Sequence, residues 1–147
     1  IDIRRCEGPY TVRSTTGPIT ITSAEGDLTV TSSTGSQRYE EVVGDIDARS
    51  TTGRIELTDV EGRLRIRTST GRQIGADVLL TGDSSFDSTT GSIEMDLVND
   101  IHALEFDLSS TTGSLCVGSD RSQRELFLSG TGFTVTGSTS TGSQHFF

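Results

Sequence analysis

The stretch Ser50-Thr51-Thr52-Gly53-Arg54-Ile55-Glu56-Leu57-Thr58-Asp59-Val60-Glu61-Gly62-Arg63-Leu64-Arg65-Ile66-Arg67-Thr68-Ser69-Thr70-Gly71 contains one full repeat of this chain and the start of the next. Its two halves are alike. Gly53 and Gly62 each precede an apolar pair at positions +2 and +4, Ile55/Leu57 and Leu64/Ile66. That alternation is the period-2 signature of a short strand with one buried face, and no 3.6-residue period competes with it. The glycines mark corners, where the backbone needs a positive φ or a close approach to its neighbours.

Working outward, Gly8, Gly17, Gly26, Gly35, Gly44, Gly53, Gly62 and Gly71 follow one another at intervals of nine. Alternate members close a Ser/Thr-x-Thr-Gly motif at Ser14–Gly17, Ser32–Gly35, Ser50–Gly53 and Thr68–Gly71. The motif recurs at Ser88–Gly91, Ser110–Gly113, Ser129–Gly132 and Thr139–Gly142. Successive motif glycines lie 18, 18, 18, 20, 22, 19 and 10 residues apart. The unit is therefore 18 residues, built from two related halves of nine. Within it the +2 and +4 positions should point inward. So should the residue two before each glycine (Thr15, Ala24, Ser33, Val42, Thr51, Val60, Ser69).

A five-residue strand is too short to bury an apolar face alone, but equivalent strands stacked at about 4.8 Å saturate each other's backbone and make a continuous core. Parallel stacking also makes neighbours of residues 18 apart, which sets Asp45 and Asp47 beside Arg63 and Arg65. A hairpin meander gives no reason for that match. The expected fold is all-β, a single-stranded right-handed parallel β-helix (a β-solenoid) of about 18 residues per rung and about eight rungs. Residues 1–147 read as one domain, and the opening Ile1-Asp2-Ile3, already strand-like, suggests excision from a longer protein.

Composition agrees with a thin core. Only 31% of residues are hydrophobic and 5% aromatic, low for a compact globule, while the strict register argues against disorder. The net charge of −9 and pI near 4.5 argue against nucleic acid and against docking on anionic membranes. No apolar run in this segment is long enough to span a bilayer. After Gly71 the regularity loosens. Two extra residues fall in Arg72–Gly82, and four in Gly91–Gly113, looped around Val98–His102. Ser119–Arg124 reads as a polar turn before a strand at Glu125–Ser129, the apolar parity shifts near Gly132, and Phe133, Phe146 and Phe147 are expected to cap the open end of the core.

Three features invite a functional reading. Thr16, Thr34, Thr52, Thr70, Thr90, Thr112, Thr131 and Thr141, each just before a motif glycine, should form an outward ladder with the Ser or Thr two residues earlier. Ice-binding solenoids present such arrays, but β-branched residues bonding along a stack explain it more simply, and Arg54, Arg72, Glu56 and Glu94 flank it. Arg63, Arg65 and Arg67 alternate along one strand and could clamp a sulfate, phosphate or acidic glycan. Neutralisation by Asp45 and Asp47 is the simpler expectation. Polysaccharide cleavage would need paired carboxylates or a metal-supported base. Glu40, Glu41, Asp45, Asp47, Asp83 and Asp87 are plentiful, yet a soluble solenoid wall carries such residues anyway, and all 12 basic residues are Arg, leaving no Lys base. His102 and His145 stand alone, without ligands at metal spacing, and the chain lacks the Gly-Gly pair of calcium β-rolls. Cys6 should face inward and Cys116 outward, far beyond disulfide reach. No catalytic residue, metal or cofactor is expected, and no binding residue is assigned.

The blocks Ser50-Thr51-Thr52-Gly53-Arg54-Ile55-Glu56-Leu57 and Val60-Glu61-Gly62-Arg63-Leu64-Arg65-Ile66 resemble those of the bacterial adhesin-like β-solenoid family, a domain of unknown function. The resemblance spans nearly the whole chain. It implies a right-handed β-helix serving as a module of bacterial cell-envelope proteins, often tethered by a membrane segment elsewhere, with no catalytic residues to carry over. The expectation is a non-catalytic, extracytoplasmic scaffold or adhesin-like module contacting a cell-surface polymer or protein partner. A carbohydrate-active β-helix enzyme and an ice-binding solenoid are the alternatives. Clustering of Asp, Glu and Arg in one groove would favour the enzyme.

Overall fold

In the computed structural model, which describes residues 1–147, the chain is strand and turn throughout, without a helix. The first rung is β1 (Asp2–Glu7) and β2 (Tyr10–Thr16), followed by β3 (Ile19–Glu25) with β4 (Leu28–Thr34), and β5 (Gln37–Val43) with β6 (Ile46–Thr52). Then come β7 (Ile55–Gly62) with β8 (Leu64–Thr70), and β9 (Gln73–Leu80) with β10 (Ser84–Thr90). Odd-numbered strands stack in one parallel sheet and even-numbered strands in another. The 18-residue register is explicit: Val12 pairs with Val30, Val30 with Ala48, and Ala48 with Ile66. At the next step Ile66 pairs with Phe86, 20 residues on. The two extra residues therefore sit at the corner Thr81-Gly82-Asp83, between β9 and β10.

About five turns are wound in chain order, fewer than the eight rungs expected. After β11 (Ile93–Leu97) the loop around Val98–His102, where the insertion was expected, carries the chain outward past one rung position. β12 (Glu105–Thr112) and β13 (Leu115–Val117) form the outermost parallel rung. β14 (Asp120–Ser122) and β15 (Glu125–Leu128) then pair antiparallel with β13 and β12 and cover that end. The chain finally returns. β16 (Thr134–Thr141) lies between β10 and β12, and β17 (Gln144–Phe146) between β11 and β13, parallel to both neighbours. The last rung in sequence is an inner rung in space.

This insertion corrects three expectations. Phe146 does not cap the core; it is 1% exposed inside it, its ring 5.7 Å from that of Phe86 and 5.5 Å from that of Phe106. Phe133 and Phe147 are exposed rather than capping. The motif ending at Gly132 makes no rung, so Thr131 lies in the connector between β15 and β16 and leaves the threonine ladder. The physical reason is that a motif specifies the shape of a rung but not which rung lies beside it.

The core is one column of 29 buried apolar side chains, which is how a chain so poor in hydrophobic residues still forms a dry interior. Ile19/Ile21, Leu28/Val30, Ile55/Leu57 and Leu64/Ile66 are buried as expected, as are Ala24, Val42 and Val60. Thr15, Ser33, Thr51 and Ser69 are not; they face solvent. In that half of the repeat the inward residue is three before glycine, giving a buried hydroxyl column of Ser32, Ser50, Thr68, Ser88, Thr139 and Ser110. Hydroxyls do bond along the stack, Thr68 to Ser88 and Thr139 to Ser110 at 3.1 Å, but on the inside.

In the odd-numbered strands a second device resets the parity. Arg5, Ser23, Glu41, Asp59 and Asp77, again 18 apart, adopt positive φ near 50–55°. The left-handed residue lets two consecutive side chains face water, so Ile55 and Leu57 point inward and then Val60, three on, does too. Gly53 also has positive φ, and a Cβ there would run into the carbonyl of Gly35 one rung away. Stacked corners at rung spacing leave no room for a side chain.

Candidate functional site

On the outer wall of the even-numbered sheet, Asp45, Arg63 and Arg65, Asp83 and Ser85, and Thr134 and Thr136 surround a groove of about 560 Å³ floored by Ile46 and Leu64. Register brings these residues together: Arg65 pairs with Ser85, and Ser85 with Thr136. The two-residue insertion at Thr81-Gly82-Asp83 pushes that corner out and raises one side. The inserted rung supplies the other, and the backbone N–H of Thr134 donates to Asp83 Oδ1 at 3.0 Å. Four stretches remote in sequence thus build one depression.

The expected aspartate–arginine adjacency is present, but the ion pairs are not. Asp47 lies 3.8 Å from Arg49, and Arg67 lies 3.6 Å from Asp87. Asp45 Oδ1 accepts the backbone N–H of Arg63 at 3.3 Å rather than its guanidinium. Neither Arg63 nor Arg65 has a carboxylate within 4.0 Å. Arg63 lies over the corner instead: a Cβ on Gly82 would lie 2.8 Å from Arg63 Nε and 3.1 Å from a terminal guanidinium nitrogen. The head group rests on a site kept open by the missing side chain.

Two carboxylates and two guanidiniums in one groove are the clustering that the carbohydrate-enzyme alternative requires. Asp45 and Asp83 are, however, exposed, and each has one oxygen tied to a backbone N–H.

The opposite wall has a different polar cluster. Arg38 donates to Glu56 Oε2 at 2.9 and 3.1 Å, and Arg54 donates to Glu56 Oε1 at 3.1 Å. Partial burial pushes the Glu56 carboxyl up, but these two arginines outweigh it and hold it below its ordinary value. Inside the core, three glutamines missed in the sequence reading, Gln37, Gln73 and Gln144, replace apolar residues in the column of Ile19, Ile55 and Ile93. Each amide reaches across the lumen to a carbonyl of the other sheet, that of Arg49, Asp87 or Ser109, at 2.7 Å. Their signal was the repeat itself: a polar residue in an inward position must bond across the core. Tyr39 donates to Gln37 Oε1 at 2.7 Å, and burial, reinforced by the Asp47 charge, raises its pKa well above the ordinary value.

Other sequence candidates stay apart. Thr16, Thr34, Thr52, Thr70, Thr90, Thr141 and Thr112 form the outward ladder in that spatial order, accompanied by the residue just before each and not by the buried hydroxyls. His102 and His145 are exposed on separate elements, and no three His, Cys, Asp or Glu side chains gather to hold a metal. Cys6 is buried, Cys116 half-buried, and both are free. No helix is long and apolar enough to cross a membrane.

Parallel rungs, glycine corners and a polar wall groove define a β-solenoid repeat domain. Residues 11–140 match the Toastrack DUF4097 family, a domain of unknown function, and the chain belongs to that family. No curated protein and no solved structure matches it.

Proposed function

We propose that this domain is a non-catalytic, adhesin-like binding module of the bacterial cell envelope, working outside the cytoplasm as a stiff rod that presents its wall groove to a surface polymer. The observation that carries this reading is the pair Arg63 and Arg65. Their neighbours Arg49 and Arg67 have carboxylate partners, whereas these two guanidiniums line a groove with none. The stacked ladders, hydrogen-bonded rung to rung, supply rigidity, and the exposed aspartates of the groove suit ligand contact better than acid–base chemistry.

The test is retention of purified domain on insoluble envelope polymers, with sizing of each polymer afterwards, beside fractionation of cells expressing the full-length protein. Retention with unchanged polymer length, and recovery in the envelope fraction, is expected. Shortening of a polymer would make the protein an enzyme, and absence of retention on every polymer would end the binding-module reading.

A further inference from the structure

We infer that the groove takes an acidic sugar, a hexuronate-type unit whose carboxylate is held by Arg63 and Arg65. This rests on the binding-module reading and names its ligand class. A guanidinium presents a planar fork of donors that matches a carboxylate with two parallel hydrogen bonds. Two unpaired forks line this groove, and one lies over Gly82, its nitrogens 2.8 and 3.1 Å from where a Cβ on that residue would stand. The missing side chain at Gly82 leaves the room that this head group occupies beside the groove.

The rest of the groove selects among anions. Asp45 and Asp83 flank the arginines, each held by a backbone N–H on one oxygen and free to accept on the other. Sulfate or phosphate, charged all round, would meet these carboxylates as like charges. A sugar acid concentrates its charge at one end and offers hydroxyl donors elsewhere, so its carboxylate can face the arginines while its hydroxyls donate to the aspartates. Ser85, Thr134 and Thr136 supply further hydroxyl contacts. The chain's overall charge of −9 does not forbid this, because at physiological salt charges beyond about 8 Å are largely screened. Because Thr134 and Thr136 belong to β16, the site is complete only when the inserted rung is in place.

The experiment is titration calorimetry with oligogalacturonate, its methyl ester as the uncharged counterpart, and inorganic sulfate. It uses wild type, R63A/R65A, G82A, and R13A/R72A, which removes the same charge from exposed arginines outside the groove. Urea midpoints confirm that each variant is folded. Oligogalacturonate should bind wild type and R13A/R72A alike, at least about tenfold more weakly to R63A/R65A, and measurably more weakly to G82A, since a charge-assisted pair is worth more than one factor of ten. The ester and sulfate should compete poorly. Equal binding of the ester, equal competition by sulfate, or unchanged affinity in R63A/R65A would overturn the inference. So would no oligogalacturonate binding by a domain that envelope polymers still retain, an outcome that leaves the module reading standing.

Discussion

Replacing Phe146 by alanine tests the inserted rung. The ring is 1% exposed and tilted against Phe86 and Phe106, with centroids 5.7 and 5.5 Å away. Its strand is held by hydrogen-bonded neighbours on both sides, β11 and β13, so the surroundings cannot collapse into the space left behind. Truncation of a buried phenylalanine costs about 3–5 kcal/mol, and two lost ring contacts place this site toward the upper end. Against a typical domain stability of about 5–15 kcal/mol that is a large fraction. Phe147, next in sequence, is 54% exposed, and its backbone bonds to Leu97 and Met95 survive truncation, so Phe147→Ala should stay within about 0.5 kcal/mol. Urea denaturation followed by circular dichroism, with the slope checked for constancy, gives both numbers. A cost below about 1 kcal/mol for Phe146→Ala, or equal costs for the two variants, would mean that the ring sits on an open end and that β17 is not an inner strand.

Three further expectations follow from the same geometry. Ile55→Asp places a charge in a column where the residue is fully buried and should cost several kcal/mol, whereas Thr52→Ser on the outer ladder should cost well under about 1 kcal/mol; comparable melting temperatures would reverse the two faces. Tyr39→Phe strips Gln37 Oε1 of its donor and should cost about 1–3 kcal/mol, so a melt overlapping wild type would show that the lumen tolerates an orphaned carbonyl there. The Glu56 carboxyl lies below its ordinary value of 4.5 when folded, so its contribution is present above that pH and is lost as pH falls through the depressed value. With both arginines more than half exposed the contribution is under about 1 kcal/mol, and R38A/R54A should melt below wild type at pH 7 by a gap that narrows as the pH falls below 4.5; a gap that widens in acid contradicts the assigned sign.

Much of the wall and core was legible because a stacked repeat reports itself: Ile55, Leu57, Leu64 and Ile66 identify inward columns by alternation, and Asp47 beside Arg65 follows from the 18-residue step. What alternation could not reveal is where it breaks. Assigning Thr51 to the inside assumed unbroken parity up to Gly53, but the corner turns one residue earlier and buries Ser50. The positive φ at Asp59 carries no strong signal, since aspartate tolerates that conformation without demanding it. The groove escaped notice for another reason. It needs Thr134 next to Asp83, 51 residues away, and periodicity predicts only neighbours one repeat apart. The ion pairing expected of Arg63 failed because adjacency in a ladder sets backbone distance, while a long side chain goes where space allows, here onto Gly82.

The position of β16 and β17 also governs the order in which the rod can be made. A ribosome releases the rungs from β1 onward, and each can close on the one before it as soon as it emerges. That ends at β10 and β11, whose outer edges have no partner until residues 134–146 have been made. Until then β12 and β13 have only the antiparallel β15 and β14 beside them and no parallel rung to stack on, and two parallel edges stand open to any chain nearby. Ribosome-stalled chains halted before Thr134 should therefore show protected amides through β8 and exchanging ones along the edge of β12 that β16 later pairs, with protection there arriving only when the final rung is released. Protection of that edge in the stalled chain would mean that the outer rung docks first and is later displaced.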